Sequence, residues 1–257
     1  MSILQSKFFG KGAEVDGVLY AFHSNITTVN STFAENHMHA PDGPFLINDL
    51  QHWTLCFNFS YFNSSTHSIT ELQEAQIPTN LLKSFFYGGV IALFHSNATI
   101  TGSKFRNNTS ENGGALAISK SVTMILNCDF EENTATQFGG ALKIGAAHVT
   151  INNSRVYSCH ADRGGVMDVI RSSVNISSCE FGYNSASKPG GVIRLDEVSQ
   201  LNVSGSQFVY NVAESGGVLS AVRSNLILRD VLFSKNRAKE VGGVMYASQS
   251  LITFSGT

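Results

Sequence analysis

The sequence predicts an all-β solenoid: one chain wound as a single-stranded, right-handed parallel β-helix of about nine turns, with 25–26 residues per turn. Three observations lead there. A Gly pair followed by a short apolar run recurs at nearly constant spacing. Inside each unit, apolar residues alternate with unconstrained ones at period two. No unit holds the roughly ten to twelve residues of 3.6-residue period that a helical repeat needs.

The Gly pairs open GGVIAL at Gly88, GGALAI at Gly113, GGALKI at Gly139, GGVMDV at Gly164, GGVIRL at Gly190, GGVLSA at Gly216 and GGVMYA at Gly242. Two degenerate copies, DGVLYA from Asp16 and DGPFLI from Asp42, precede them. The second residue of each pair falls at 17, 43, 89, 114, 140, 165, 191, 217 and 243, so the steps are 26, 46, 25, 26, 25, 26, 26 and 26. Two and four residues after this marker stand apolar side chains, such as Leu116 and Ile118 or Ile193 and Leu195. The residue between them is unconstrained: Ala117, Lys143, Asp168, Arg194, Ser220. That pattern is a strand with one buried and one exposed face.

A second strand follows a polar corner and carries Ile100, Ile125, Ile151, Ile176 and Leu228 in register. A small residue comes next (Ser103, Cys128, Ser154, Cys179), then an aromatic: Phe33, Phe105, Phe130, Phe181, Phe208, Phe233. Three residues later stands Asn: Asn36, Asn108, Asn133, Asn184, Asn211, Asn236. Val156 and Cys159 are the exceptions. Three short strands and three corners close one turn, and successive turns stack about 4.8 Å apart. Stacking makes the Phe offsets a core ladder, each ring contributing about 1.5–3 kcal/mol on burial. The Asn offsets become a corner ladder that bonds backbone and the neighbouring amides. In this frame Phe181→Asp unfolds the rod, whereas Lys143→Asp, on the outer face, costs little.

The long step between Gly43 and Gly89 holds an insertion at 64–84, STHSITELQEAQIPTNLLKS with neighbouring residues, polar and stopped by Pro78. Solenoid insertions leave as loops and often carry binding, which makes His67, Glu71 and Glu74 binding-loop candidates. Otherwise 1–257 reads as one β-helix. Both ends break off inside a repeat, so flanking turns of a longer chain are expected partners.

Composition removes several function classes. Net charge is -2, from 17 Lys plus Arg against 19 Asp plus Glu, which gives no case for nucleic acid or an anionic membrane surface. No apolar run reaches about 18 residues, so direct membrane insertion is not expected. The first twenty residues carry no apolar stretch of the signal-peptide kind. Hydrophobic residues make up 42% of the chain, enough to form a core.

Catalysis on such a rod needs charges converging over adjacent turns. Asp168 and Arg194 share an outward offset one turn apart, and a cross-turn ion pair accounts for them; they and Glu131 are weak catalytic candidates. Asp129, Glu131 and Glu132 form an acidic edge. Arg171, Glu197 and Arg223 form a charged corner ladder. The eight His supply no ligand set, since His23 and His95 share an offset without being in adjacent turns. No metal or cofactor motif is present. Cys56, Cys128, Cys159 and Cys179 read as small buried residues without bridges. Ten glycosylation sequons occur, at Asn25, Asn30, Asn58, Asn63, Asn97, Asn107, Asn108, Asn152, Asn175 and Asn202; they permit a secreted glycoprotein, although a glycan at the ladder residue Asn108 would clash.

The pairing of GGA-L/I with F-x-x-N resembles the repeat of the chlamydial polymorphic outer membrane proteins, and more broadly the pectate-lyase-like right-handed β-helices of large extracellular proteins. The motifs match at Gly113 to Ile118 with Phe130 to Asn133, at Gly139 to Ile144, at Phe181 to Asn184 and at Phe233 to Asn236, and they fail at Val156 and Cys159. The resemblance implies a secreted or cell-surface, adhesive or structural module that binds protein or glycan. The alternative is a polysaccharide lyase or glycoside hydrolase on the same fold.

Overall fold

A computed structural model of the chain describes residues 2–4, 6–9, 12–13, 19–38 and 89–256. Among them, strands of two to five residues pair only in parallel and form four sheets. The coil that starts at Gly89 sets the pattern: Ile91–Phe94 lies in sheet 1, Asn97–Thr101 in sheet 2, Lys104–Arg106 in sheet 3 and Thr109–Asn112 in sheet 4. Sheet 2 has nine strands and the others eight.

Each coil therefore has four strands where three were expected. The fourth covers the N-x-A end of the repeat and is only two residues long in most coils, as in His160–Ala161 and Ser185–Ala186. Two residues cannot display a period. Seven coils are complete among the described residues, with a three-strand piece before them and a two-strand piece after, not the expected nine.

The missing turn is the one expected from Gly43. Leu19 pairs directly with Ile91 and Asn25 with Asn97, so no strand stands between those coils. The residue after the Gly pair shows why. Its N–H binds the next coil in each intact copy that has a coil after it, as in Val90 N–H to Ala115 O (2.8 Å) and Ala141 N–H to Val166 O (3.0 Å). Pro44 occupies that offset and has no N–H to donate. Residues 39–88 thus connect two adjacent coils. The loop 64–84, with His67, Glu71 and Glu74, and also Cys56, lie outside the described residues.

The two expected ladders run through the core. Phe33, Phe105 and Phe130 stack at 5.0 and 4.9 Å, and Phe181, Phe208 and Phe233 at 4.8 and 5.3 Å, with Val156 separating the two stacks. Asn108 Nδ2 donates to Phe33 O at 3.1 Å and to Asn133 Oδ1 at 2.8 Å. Asn184 and Asn211 repeat this on Val156 O and Phe181 O, and Asn236 on Phe208 O. Serines form two further ladders at the other corners. Ser121 Oγ accepts from Ser96 N–H and Ser172 Oγ from Ala147 N–H; Ser154 Oγ accepts from Cys128 N–H and Ser206 Oγ from Cys179 N–H. Each hydroxyl satisfies a corner amide that the sheets leave open.

The Gly pair does two jobs, seen at Gly139 and Gly140. Gly139 has φ +65°, a region that favours glycine. A Cβ on Gly140 would collide with the backbone carbonyls of Gly165 and His160. The first glycine lets the chain turn, and the second lets adjacent coils touch.

Candidate functional site

The four outer faces differ, and sheet 1 is the least accessible. Its outward residues were expected in solvent, yet Ala92, Ala117, Lys143, Asp168 and Ser220 are buried. The segment entering each Gly pair crosses this face: Gly139 packs against Leu142 O and Asp168 N. Phe138, just before it, sits under Lys143 Nζ at 4.5 Å and within 6 Å of the Arg163 and Arg194 guanidinium carbons. Period two reports which side of a strand faces the core. It is silent about a neighbouring segment folding over the other side.

Asp168 is fully enclosed there, with its side chain 0% exposed. One carboxylate oxygen is held by Lys143 Nζ; the other accepts from Arg194 Nη1 at 2.6 Å. Arg194 Nη2 donates to Asp196 at 2.7 Å, and Arg223 Nη2 reaches Asp196 at 3.2 Å. The pairing of Asp168 with Arg194 matches the sequence reading; the enclosure corrects it. A line of alternating charges crosses four coils, with its central acid closed to any substrate.

Glu131 lies on sheet 3, apart from Asp168. It pairs with Arg106 at 2.6 Å, while Asp129 lies between Lys104 (4.0 Å) and Arg155 (3.1 Å). These are cross-strand ion pairs of opposite sign, which favour the observed register. The three weak catalytic candidates therefore do not converge. Among the described residues no group of three or more His, Cys, Asp or Glu could hold a metal ion.

His23 and His95 do occupy adjacent coils, against expectation, since Asn25–Val29 pairs directly with Asn97–Thr101. Their rings stack at 5.0 Å. Burial, then Lys120 on the next coil, then His23 hold the His95 imidazole below its usual pKa range.

The three described cysteines are free and buried. Burial pushes the Cys128 thiol up to about 11 and the Cys159 thiol, in the Asn column, up to about 12, which keeps both protonated and unreactive.

Among the described residues, shallow depressions mark the surface at two places. One, of about 550 Å³, is lined by Arg171, Glu197, Val198 and Arg223. The corner ladder of the sequence reading is here, with Arg171 paired to Glu197 at 3.2 Å. The other, of about 200 Å³, lies on sheet 2 between Asn175, Ser177, Asn202, Ser204 and Arg229.

Two exposed tyrosines stack at the corner between sheets 3 and 4, with half-buried Tyr157 of sheet 3 beside them, and the sequence reading missed them. Tyr183 and Tyr210 stack at 4.9 Å, and Tyr157 approaches Tyr183 at 6.4 Å. Tyr157 Oη donates to Glu180 at 3.1 Å. Lys235 Nζ donates to Tyr210 Oη at 2.6 Å and lies over its ring. The signal was present: Tyr183 and Tyr210 stand two residues after the ladder residues Phe181 and Phe208.

Curated proteins from Dictyostelium discoideum resemble this chain. A transmembrane domain-containing protein is 24% identical over 152 residues, covering 58% of the chain and 9% of that protein. A metabotropic glutamate receptor-like protein R is 25% identical over 206 residues, covering 76% and 13% respectively. The chain thus spans about a tenth of the length of these relatives. The model of the right-handed β-helix region matches residues 87–257, which hold six complete coils and the partial one that follows. With two thirds of its length so matched and its described strands in parallel coils, the chain belongs to the right-handed β-helix family.

Proposed function

We propose that this β-helix is a structural or adhesive module of an extracellular or cell-surface protein, and that it binds a partner without transforming it. The exposed stacked pair Tyr183–Tyr210 carries this reading. Tyrosine supplies a large contact area at low entropy cost and is enriched at interface hot spots. Tyr183 and Tyr210 cover one face of each other, and Lys235 lies over the Tyr210 ring. A sugar ring packs on an open aromatic face, so the arrangement favours a protein partner. The enclosure of Asp168 removes that acid from the residues the lyase or hydrolase alternative could use. The repeat's resemblance to that of the chlamydial polymorphic outer membrane proteins, read from the sequence alone, fits an adhesive use, and the names of the Dictyostelium relatives, transmembrane and receptor-like, support a surface location.

The test is binding of the labelled chain to intact cells, beside a glycan array and an incubation with pectin and other polysaccharides. We expect cell binding that survives enzymatic removal of surface glycans and weakens about tenfold or more in Tyr183→Ala/Tyr210→Ala, the scale of a hot-spot pair. Release of sugar fragments from any polysaccharide would overturn the reading.

A further inference from the structure

Sheet 2 has an outer face unlike the others. From Asn97–Thr101 to Gln200–Ser204 its outward residues are Asn, Thr, Ser, Gln, His148 and one apolar set, with no Asp, Glu, Lys or Arg. The apolar set fills a whole strand: Val122 is 52% and Met124 44% exposed, and Leu126 is half-buried beside them. Three apolar side chains in one row on a polar face need a reason.

The register supplies one. Val122 pairs with Asn97, and Leu126 pairs with Asn152. Both asparagines are exposed and open sequons, Asn97-Ala98-Thr99 and Asn152-Asn153-Ser154. One stands across from each end of the apolar row, on opposite sides of it, at strand spacing of about 5 Å. We propose that Asn97 and Asn152 carry N-linked glycans, whose first sugars cover Val122, Met124 and Leu126. This rests on the extracellular reading above.

In the transfer, Asn Nδ2 displaces the polyprenyl diphosphate from C1 of a lipid-linked oligosaccharide. A C–N bond forms, the C–O bond breaks, one N–H proton leaves, and the diphosphate departs with the bonding pair. At Asn97 the strand period places the Thr99 hydroxyl on the same outer face. At Asn152 the Ser154 hydroxyl ends in the corner ladder, so transfer there precedes closure of the coil. Geometry also separates two overlapping sequons. Asn107 is exposed at a corner, whereas both Asn108 Nδ2 hydrogens are spent inside the core on Phe33 O and Asn133 Oδ1. A glycan on Asn108 would prevent the coil from forming.

The test directs the full chain through a eukaryotic secretory pathway and maps site occupancy by peptide mass spectrometry after glycan release in heavy-oxygen water. We expect Asn97 and Asn152 occupied and Asn108 empty. In Asn97→Gln/Asn152→Gln, binding of an apolar fluorescent dye should rise about twofold as the row is uncovered. Adding Val122→Thr/Met124→Thr/Leu126→Thr should return it to the starting level. Empty sites at Asn97 and Asn152, an occupied Asn108, or dye binding unchanged by loss of both glycans overturns the assignment. Location is read separately, by impermeant biotinylation of the natural protein on intact cells. An unlabelled protein sinks the extracellular reading; a labelled one with both sites empty sinks the glycan assignment alone.

Discussion

Asp168 holds two cations: Lys143, whose ion pair is with Asp168, and Arg194, which divides itself between Asp168 and Asp196. Lys143 and Arg194 have side chains 10% and 17% exposed, so water does little for them. Removing one partner from such a group leaves buried charge uncompensated, at a cost of about 3–5 kcal/mol. Asp168→Ala should therefore destabilise the rod by that amount in chemical denaturation. Lys143→Asp, which looks harmless when the residue is placed outside, should do at least as much damage, because it sets a second carboxylate against Asp168 in an enclosed site. Equal stability of wild type and Asp168→Ala would show that the network is solvated. The sheet 3 ion pairs Arg106–Glu131 and Arg155–Asp129 make the contrast: they lie on an open face, where a pair contributes about 0–1 kcal/mol.

At the scale of one coil, the Gly pair decides whether neighbours can stack. Gly140→Ala puts a methyl against two backbone carbonyls that cannot move without breaking the ladder, so it should cost about 4 kcal/mol or more, at the extreme of single-residue effects. Gly205→Ala is the control. Gly205 has a left-handed backbone (φ +53°) that Gly140 lacks, and nothing lies within 4 Å of its would-be Cβ, so the cost should be about 1–2 kcal/mol from conformation alone. Similar melts for the two variants would mean that the close approach at Gly140 is relaxed. The sequence made the first two strands and the Phe and Asn ladders legible, because each repeats at a fixed offset and buries alternate residues. The fourth strand was hidden by its length. The covering of sheet 1 was hidden because Phe138 and Gly139 act on a strand that follows them, across a turn no periodicity records. The absence of the turn expected from Gly43 was legible in principle through Pro44, which lacks an N–H that the stacked copies use.

Over the whole rod, stability comes from contacts between neighbouring coils, so what matters about 39–88 is whether it interrupts them. It does not: Leu19–Phe22 and Asn25–Val29 pair with Ile91–Phe94 and Asn97–Thr101 in full register, and the Phe and Asn ladders run on from Phe33 to Phe105 and from Asn36 to Asn108. Elsewhere the same connection is made by three residues, as Asp162, Arg163 and Gly164 join Ala161 to Gly165. Replacing 39–88 with Asp-Arg-Gly should keep the fold. It should also raise stability by roughly 2 kcal/mol, since closure entropy grows with the logarithm of loop length. The readout is the denaturation midpoint of the shortened chain, alongside its cell binding. A midpoint that falls would show that 39–88 packs on the rod and holds it. A midpoint that rises while cell binding is kept would assign recognition to the coils and their tyrosine pair. A midpoint that rises while cell binding is lost would move recognition to the excursion that carries His67, Glu71 and Glu74.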